Sequence, residues 1–359
     1  MRRVSQLSGP PVKDHPRLAV DPEVANQYEL LTRATPKHRL GPTRGLYRYW
    51  TSAADEEAAL RYLGRTHGRF DLIHSHFFRR SRHLPRVARR LGIPFIVTEH
   101  DGRFTLEQPH PGFLNAYTRP QMKHVFSHAA SVVCVSATLR DMLVHHGFQG
   151  NFAVVPNPID VSRFQPRQHQ PSEMSRVKLA SVGRLVPEKG FDTLLHTLAI
   201  VANRDSKRSY ELTIAGSGPL LSALCELRSE LGLDQVVRFA GNLGRDEVAD
   251  LLKGSDLFAL PTRFESLGVV FVEAMACGVP VVATDVGPIP EIVPREAGVL
   301  AQGTKVPQFV LALEDAVARR SDFNRDLISR DARDRYSYER VGRMLKDIYE
   351  QASQTSIPT

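Results

Sequence analysis

From residue 70 onward, short β-rich apolar runs alternate with longer amphipathic stretches, and the alternation runs through twice. The first pass offers strand candidates "FDLIHSHF" (70–77), "PFIVTEH" (94–100), "SVVCVS" (131–136) and "FAVVPN" (152–157). Helical patterns separate them. "HLPRVARRLG" (83–92) is ended by Gly92 with Pro94 beyond, and "SATLRDMLVHHG" (136–147) is opened by Ser136 and stopped by Gly147. Strand–helix–strand spacing of this kind predicts βαβ units and a parallel sheet.

Residues 157–176 are polar, proline-bearing and without period, which is linker chemistry. The alternation then restarts with strands "KLASVGRL", "YELTIAG", "VVRFAG", "LFALPT" and "PVVATDV", each followed by a helical pattern. The tail "SYERVGRMLKDIYEQ" carries apolar residues at 341, 344, 345, 348 and 349, the stripe of an amphipathic helix. The expected architecture is therefore two doubly wound α/β domains, over 1–165 and 166–335, with 336–359 as a closing helical segment. Such sheets bind ligands at the carboxyl ends of their strands, so the cleft between domains is the expected site. Residues before 70 fit less well: "VSQLSGPPV" suits a first strand and turn, and "ADEEAALRYLGRTHG" (54–68) suits a helix.

No apolar stretch reaches the roughly 18 residues of a membrane span. The first residues, "MRRVSQLSGPPVKDHPRL", hold Arg2 and Arg3 but no apolar run, so no secretory signal is expected. Cys134, Cys225 and Cys277 are too scattered for a disulfide framework or a zinc site, and the cytoplasm is the expected compartment. The net charge of +8 is uneven: residues 1–165 carry about +10 and residues 166–359 about −2. The basic half points to an anionic membrane surface, a phosphorylated acceptor or nucleic acid. Nucleic-acid binding would also require aromatic–basic interleaving on a recognised module, which is missing, and it is set aside.

Three clusters could carry chemistry. In "SVGRLVPEKGFDTLL" (181–195), Gly183 and Arg184 end a strand and Lys189 sits in the loop before a helix. Two cations there suit an anionic ligand held by charge and helix end together; the alternative is a solvated loop. In "IAGSGPLLSAL" (214–224), Gly216 and Gly218 allow close backbone approach at a strand-to-helix turn. A plain tight turn would look the same.

The third cluster is "TRFESLGVVFVEAMACGVPVVATDVG" (262–287). Ser266 is placed to cap a helix over Leu267–Cys277, with Gly278 beyond its end. Gly268 leaves the first turn open to a ligand, and its free N–H groups make an anion site. Glu265 stands just before the cap. Glu273 lies two turns on, in an otherwise apolar helix, where an unpaired carboxylate would cost several kcal/mol. Its partners are either two hydroxyls of a bound ligand, since a carboxylate only accepts, or neighbouring backbone or an arginine.

The E-x7-E pair Glu265/Glu273, with "GRLVPEKG", "AGSGP" and "VVPNPIDVSRF", resembles the retaining family 4 glycosyltransferases of the GT-B fold. The resemblance covers residues 70–350 and is densest over 152–293. It implies that Arg184 and Lys189 bind the donor diphosphate and that Glu273 takes the ribose hydroxyls. Glu265, with the N–H groups of Ser266, Leu267 and Gly268, would hold the donor sugar and phosphate. Gly218 would line the donor cleft, and the "AGNL" loop (240–243), ending at Leu243, would meet the base. His100 in "IVTEHD" matches a family histidine near the sugar; a plain surface histidine at a strand end is the alternative. The resemblance also implies a last helix crossing back onto the first domain.

The expected reaction moves a sugar from a nucleoside diphosphate to a glycan, lipid-linked or small-molecule hydroxyl. Retention at the anomeric carbon is expected, in envelope or exopolysaccharide assembly at the inner membrane face. No D-x-D motif occurs, so no metal or other cofactor is expected. A non-catalytic nucleotide-sugar-binding relative, or partner subunit of a transferase, is the alternative. The chain departs from the family's glycine-rich first loop, because "SQLSGPPVKDHP" offers a single glycine.

Two further features remain. "FFRRSRHLPRVARR" (77–90) interleaves arginines with apolar residues, as a helix resting on anionic lipid would, or one with a solvated basic face. His74 and His76 share one face of a strand and hint at a metal, but no third ligand is near in sequence.

Overall fold

Two parallel sheets organise the computed structural model, which describes residues 4–6, 57–58, 60–62, 64–65, 70–106, 114–166 and 175–354. The first runs in the order β1 (Val4–Gln6), β2 (Leu72–His76), β3 (Phe95–Glu99), β4 (Ser131–Cys134), β5 (Phe152–Val154). The second comprises β6 (Arg176–Val182), β7 (Ser209–Ala215), β8 (Val237–Gly241), β9 (Leu257–Leu260), β10 (Val281–Thr284) and β11 (Gly298–Ala301). Its spatial order is β11-β10-β9-β6-β7-β8. The chain thus winds outward from β6 in one direction, then returns to β9 on its other side. The crevice beyond the ends of β6 and β9 is a topological switch point.

The predicted strands all form, and β11 is an addition. The predicted first strand forms at β1, while the turn after it lies outside the described residues, as does most of 54–68. Ser136 caps the helix Ala137–His145 by accepting from the Leu139 N–H at 3.1 Å. Gly92 ends the helix Leu84–Leu91 in the left-handed conformation.

The stretch 77–90 is not one amphipathic helix but two segments, Phe78–Ser81 and Leu84–Leu91. Leu84, Pro85, Val87 and Ala88 of the second are buried in the protein's own core. Its apolar face is therefore spent on packing, and lipid insertion by that face is excluded. Arg89 and Arg90 remain exposed, Arg90 pairing with Glu57 at 3.0 Å. Among the described residues, no helix is long and apolar enough to cross a membrane.

The helix Tyr338–Gln354 lies against the first sheet, not the second. Its apolar stripe, Val341, Met344, Leu345, Ile348, Tyr349 and Ala352, covers Val133, Val155, Leu72 and Ile96. Just before it, the Ile159 N–H donates to the Tyr336 carbonyl at 2.8 Å, so both crossings between the units run side by side.

A carboxylate also bridges the units. Glu291 accepts from the Ala137 N–H at 2.9 Å, from the Thr138 N–H and from the Thr138 hydroxyl. These are first-turn N–H groups without helical partners, and the dipole there favours negative charge. Charge-assisted bonds at an exposed helix end contribute about 1–2 kcal/mol. Glu291→Ala should therefore let the units separate in the absence of ligand. Small-angle scattering would show a larger radius of gyration, and an unchanged radius would count against the clamp.

Candidate functional site

The loops leaving β6, β7, β8 and β9 meet at the switch point. The Leu185 N–H donates to the Ser217 carbonyl at 2.9 Å, and the Gly216 N–H to the Gly241 carbonyl at 2.7 Å. A Cβ on Gly218 would lie 2.4 Å from the Leu185 carbonyl oxygen, so only glycine lets the β7 turn rest on the β6 loop. The "AGNL" loop joins through Gly241, and Leu243 is half-buried there.

Lys189 and Glu265 come together. The ammonium of Lys189 pairs with Glu265 Oε1, which also accepts from the Thr262 hydroxyl at 3.2 Å. Gly183 flanks the Lys189 stem: a Cβ there would sit 3.7 Å from Lys189 Cγ. Arg184, on the same loop, is exposed and has no side-chain partner among the described residues.

The helix after Glu265 starts later than its sequence suggests. It spans Val269–Ala276, and its N-cap is Gly268 at φ 87, not Ser266. Leu267 is only 2% exposed; anchoring its side chain in the core keeps residues 266–268 out of the helix. The turn needs a left-handed residue at 268, which glycine supplies. The N–H groups of Ser266, Leu267 and Gly268 have no hydrogen-bond partner among the described residues, and they lie next to the Lys189–Glu265 pair.

Glu273, 9% exposed, sits in the second turn of that helix. Burial pushes its carboxyl up to about 7, against the pull of Arg245 and Arg163. Arg245 donates to Glu273 Oε1 at 3.0 Å and lies over the Phe164 ring at 5.5 Å. Of the two partners open in sequence, the arginine is the one present here. Its own side chain is more than half exposed, which leaves it free to yield. Sequence reasoning missed Arg245; its place beside the "AGNL" loop was the available signal.

The first unit closes over this group. Thr105 donates its hydroxyl to the Glu265 carbonyl at 3.0 Å, and Ser136 to the Ser266 carbonyl at 2.8 Å. His100 directly follows β3 at the head of this segment. Its N–H and that of Asp101 both donate to buried Glu99 at 2.9 Å. Burial drives the His100 imidazole down to about 4, and neighbouring His76 adds to the shift, so the ring is neutral near pH 7.

Among the described residues, no three His, Cys, Asp or Glu side chains are grouped to hold a metal ion. His74 and His76 spend ring nitrogens on Tyr349, Thr98 and His100.

Comparison with known proteins agrees with the fold. Residues 162–335 match the glycosyl transferases group 1 model, and residues 16–163 match the model for glycosyltransferase family 4. The D-inositol 3-phosphate glycosyltransferase of Frankia alni is 31% identical over 299 residues, covering 75% of this chain and 72% of that protein. The fold is that of sucrose-phosphate synthase from Thermosynechococcus elongatus, with a TM-score of 0.71 at 19% identity, over 89% of this chain and 82% of that one. Anabaena HepE in complex with UDP superposes with a TM-score of 0.69 at 19% identity, over 82% of each chain. The chain belongs to the group 1, family 4 glycosyltransferases, enzymes of the two-domain GT-B fold.

Proposed function

We propose that the chain transfers a sugar from a nucleoside diphosphate donor to a hydroxyl acceptor, with retention at the anomeric carbon and without a metal. One observation carries the reading: Lys189 and the unpaired N–H groups of residues 266–268 converge at the switch point of the second sheet. That is a site for two negative phosphates. Arg184, exposed on the same loop, adds a second cation once phosphate is present. Charge developing on the leaving diphosphate is then met by groups already in place.

Glu273 takes the ribose hydroxyls in place of Arg245, and Glu265 exchanges Lys189 for hydroxyls of the sugar. Gly218 and Leu243 line the nucleotide side, and His100 faces the sugar from the first unit. The acceptor attacks from the face the leaving group departs, through an oxocarbenium-like state. The basic first half suits an anionic acceptor or an anionic membrane surface, in envelope glycan or glycolipid assembly. The name of the Frankia alni relative, with its phosphorylated cyclitol, supports a phosphorylated one.

A panel of nucleotide sugars tests this by slow donor hydrolysis, with and without chelator. One donor should be hydrolysed at a rate chelator does not change. Binding without turnover of any donor, or loss of turnover with chelator, would overturn the reading or its metal-free part.

A further inference from the structure

At the carboxyl end of the first sheet, three imidazoles, two from β2 and one just beyond β3, lie in a continuous row. His74 and His76 of β2 lie ring on ring, 4.5 Å apart and tilted by 27°. His76 and His100 are 5.1 Å apart at 22°, and His76 Nδ1 lies 2.8 Å from His100 Nε2. His74 is fixed from both edges, its Nε2 2.7 Å from the Thr98 hydroxyl and its Nδ1 2.7 Å from the Tyr349 hydroxyl. Tyr349 belongs to the helix that crosses back from the second unit.

Phe77 closes the other side of His100, at 5.0 Å between rings. Its φ of 65° makes it the one non-glycine residue with positive φ among the described residues. Such backbone costs on the order of 1–3 kcal/mol and persists where surroundings impose it. Here it turns the chain straight out of β2 and sets the ring beside His100.

We propose that His76 is a positioning residue for the transfer reaction: it engages His100 Nε2, fixes the ring's tautomer, and leaves Nδ1 as the nitrogen that meets the sugar. Two neutral imidazoles can bond only if one supplies an N–H and the other a lone pair. Whichever tautomer His76 adopts therefore dictates the opposite role for His100 Nε2, and so the role of His100 Nδ1. Burial lowers the titration of His74, His76 and His100 alike, which keeps the set neutral. The proposal rests on the reading that His100 faces the transferred sugar.

The test compares His76→Phe, which keeps a ring but no nitrogen, with His76→Asn, whose amide can stand in for Nδ1. In H76F, kcat should fall by about tenfold, the loss expected from one hydrogen bond, with donor KM nearly unchanged; H76N should recover most of it. In 15N-labelled parent protein, the two His100 ring nitrogens should show the well-separated shifts of one tautomer, and in H76F these should move toward the average. Parent-like kcat in H76F beside an impaired His100→Ala overturns the positioning role alone. Parent-like kcat in His100→Ala removes the reading beneath it, and the role with it.

Discussion

Lys189→Ala should lower kcat/KM by about two to three orders of magnitude, with the unfolding midpoint within a few degrees of the parent. The size follows from the role proposed for it. One preorganised donor facing developing negative charge is worth roughly 2.7–4 kcal/mol, realised only as the diphosphate departs. The fold has less at stake. The Lys189 side chain is partly exposed, its ion pair with Glu265 is local, and Glu265 keeps its bond from Thr262 when the ammonium goes. The loop stays fixed by its backbone, through the Arg263 N–H to the Glu188 carbonyl at 2.7 Å and the Lys189 N–H to the Val186 carbonyl at 3.1 Å. Arg184→Ala should act mainly on donor KM, because an exposed cation attracts bound and departing phosphate alike. If Lys189→Ala keeps kcat/KM within tenfold of the parent, the phosphates lie elsewhere.

Glu273→Gln should separate binding from stability. Donor affinity should fall about tenfold to a hundredfold, since bonds to a charged acceptor contribute roughly 1.5–3 kcal/mol. The ligand-free protein should behave differently. Burial raises the folded-state value from 4.5 to about 7, so the folded protein holds this proton more tightly than the unfolded chain. The stabilisation is complete below about pH 4.5 and disappears as pH rises through about 7. Glutamine has no proton to lose. The two proteins should therefore melt alike near pH 5, and the variant should melt higher by several degrees near pH 8, a difference of up to about 3 kcal/mol. Donor binding near pH 6.5 should release protons in the parent and not in the variant, read by calorimetry in two buffers of different ionisation enthalpy. A variant that is less stable at pH 8, with normal donor affinity, would make Glu273 a structural partner of Arg245 only.

What the sequence reveals here follows the range of the interaction. Strands and most helix ends are set by local patterns, so β2 to β10 and the Ser136 cap are readable from composition and spacing. The location of the crevice follows too, because Gly183–Lys189 and Glu265–Gly268 trail the two central strands. β11, "GVLA", is no shorter than β9 or β10 but lies at the sheet edge with its two middle residues only half-buried, so no apolar run sets it apart from the polar residues around it. The start of the helix at Val269 depends on Leu267 finding the core, a tertiary event that overrides the local preference of Ser266. Arg245 with Glu273 is set by folding across 28 positions, and His76 with His100 across 24. No periodicity spans such distances. The histidine spacing on β2 was visible, but its partner His100, just beyond the neighbouring strand, lies 24 positions on and carries no local signal.

The returning helix has a consequence for anyone dividing this protein. Val133, Val155, Leu72 and Ile96 owe their dryness to residues 341–352, which arrive only after the entire second sheet has been laid down. Severed at the connector, the front portion would present those four side chains to water and lose Tyr349 from His74. A chimera that swaps one half for a relative's must therefore take the tail together with the front, because in space they are a single piece.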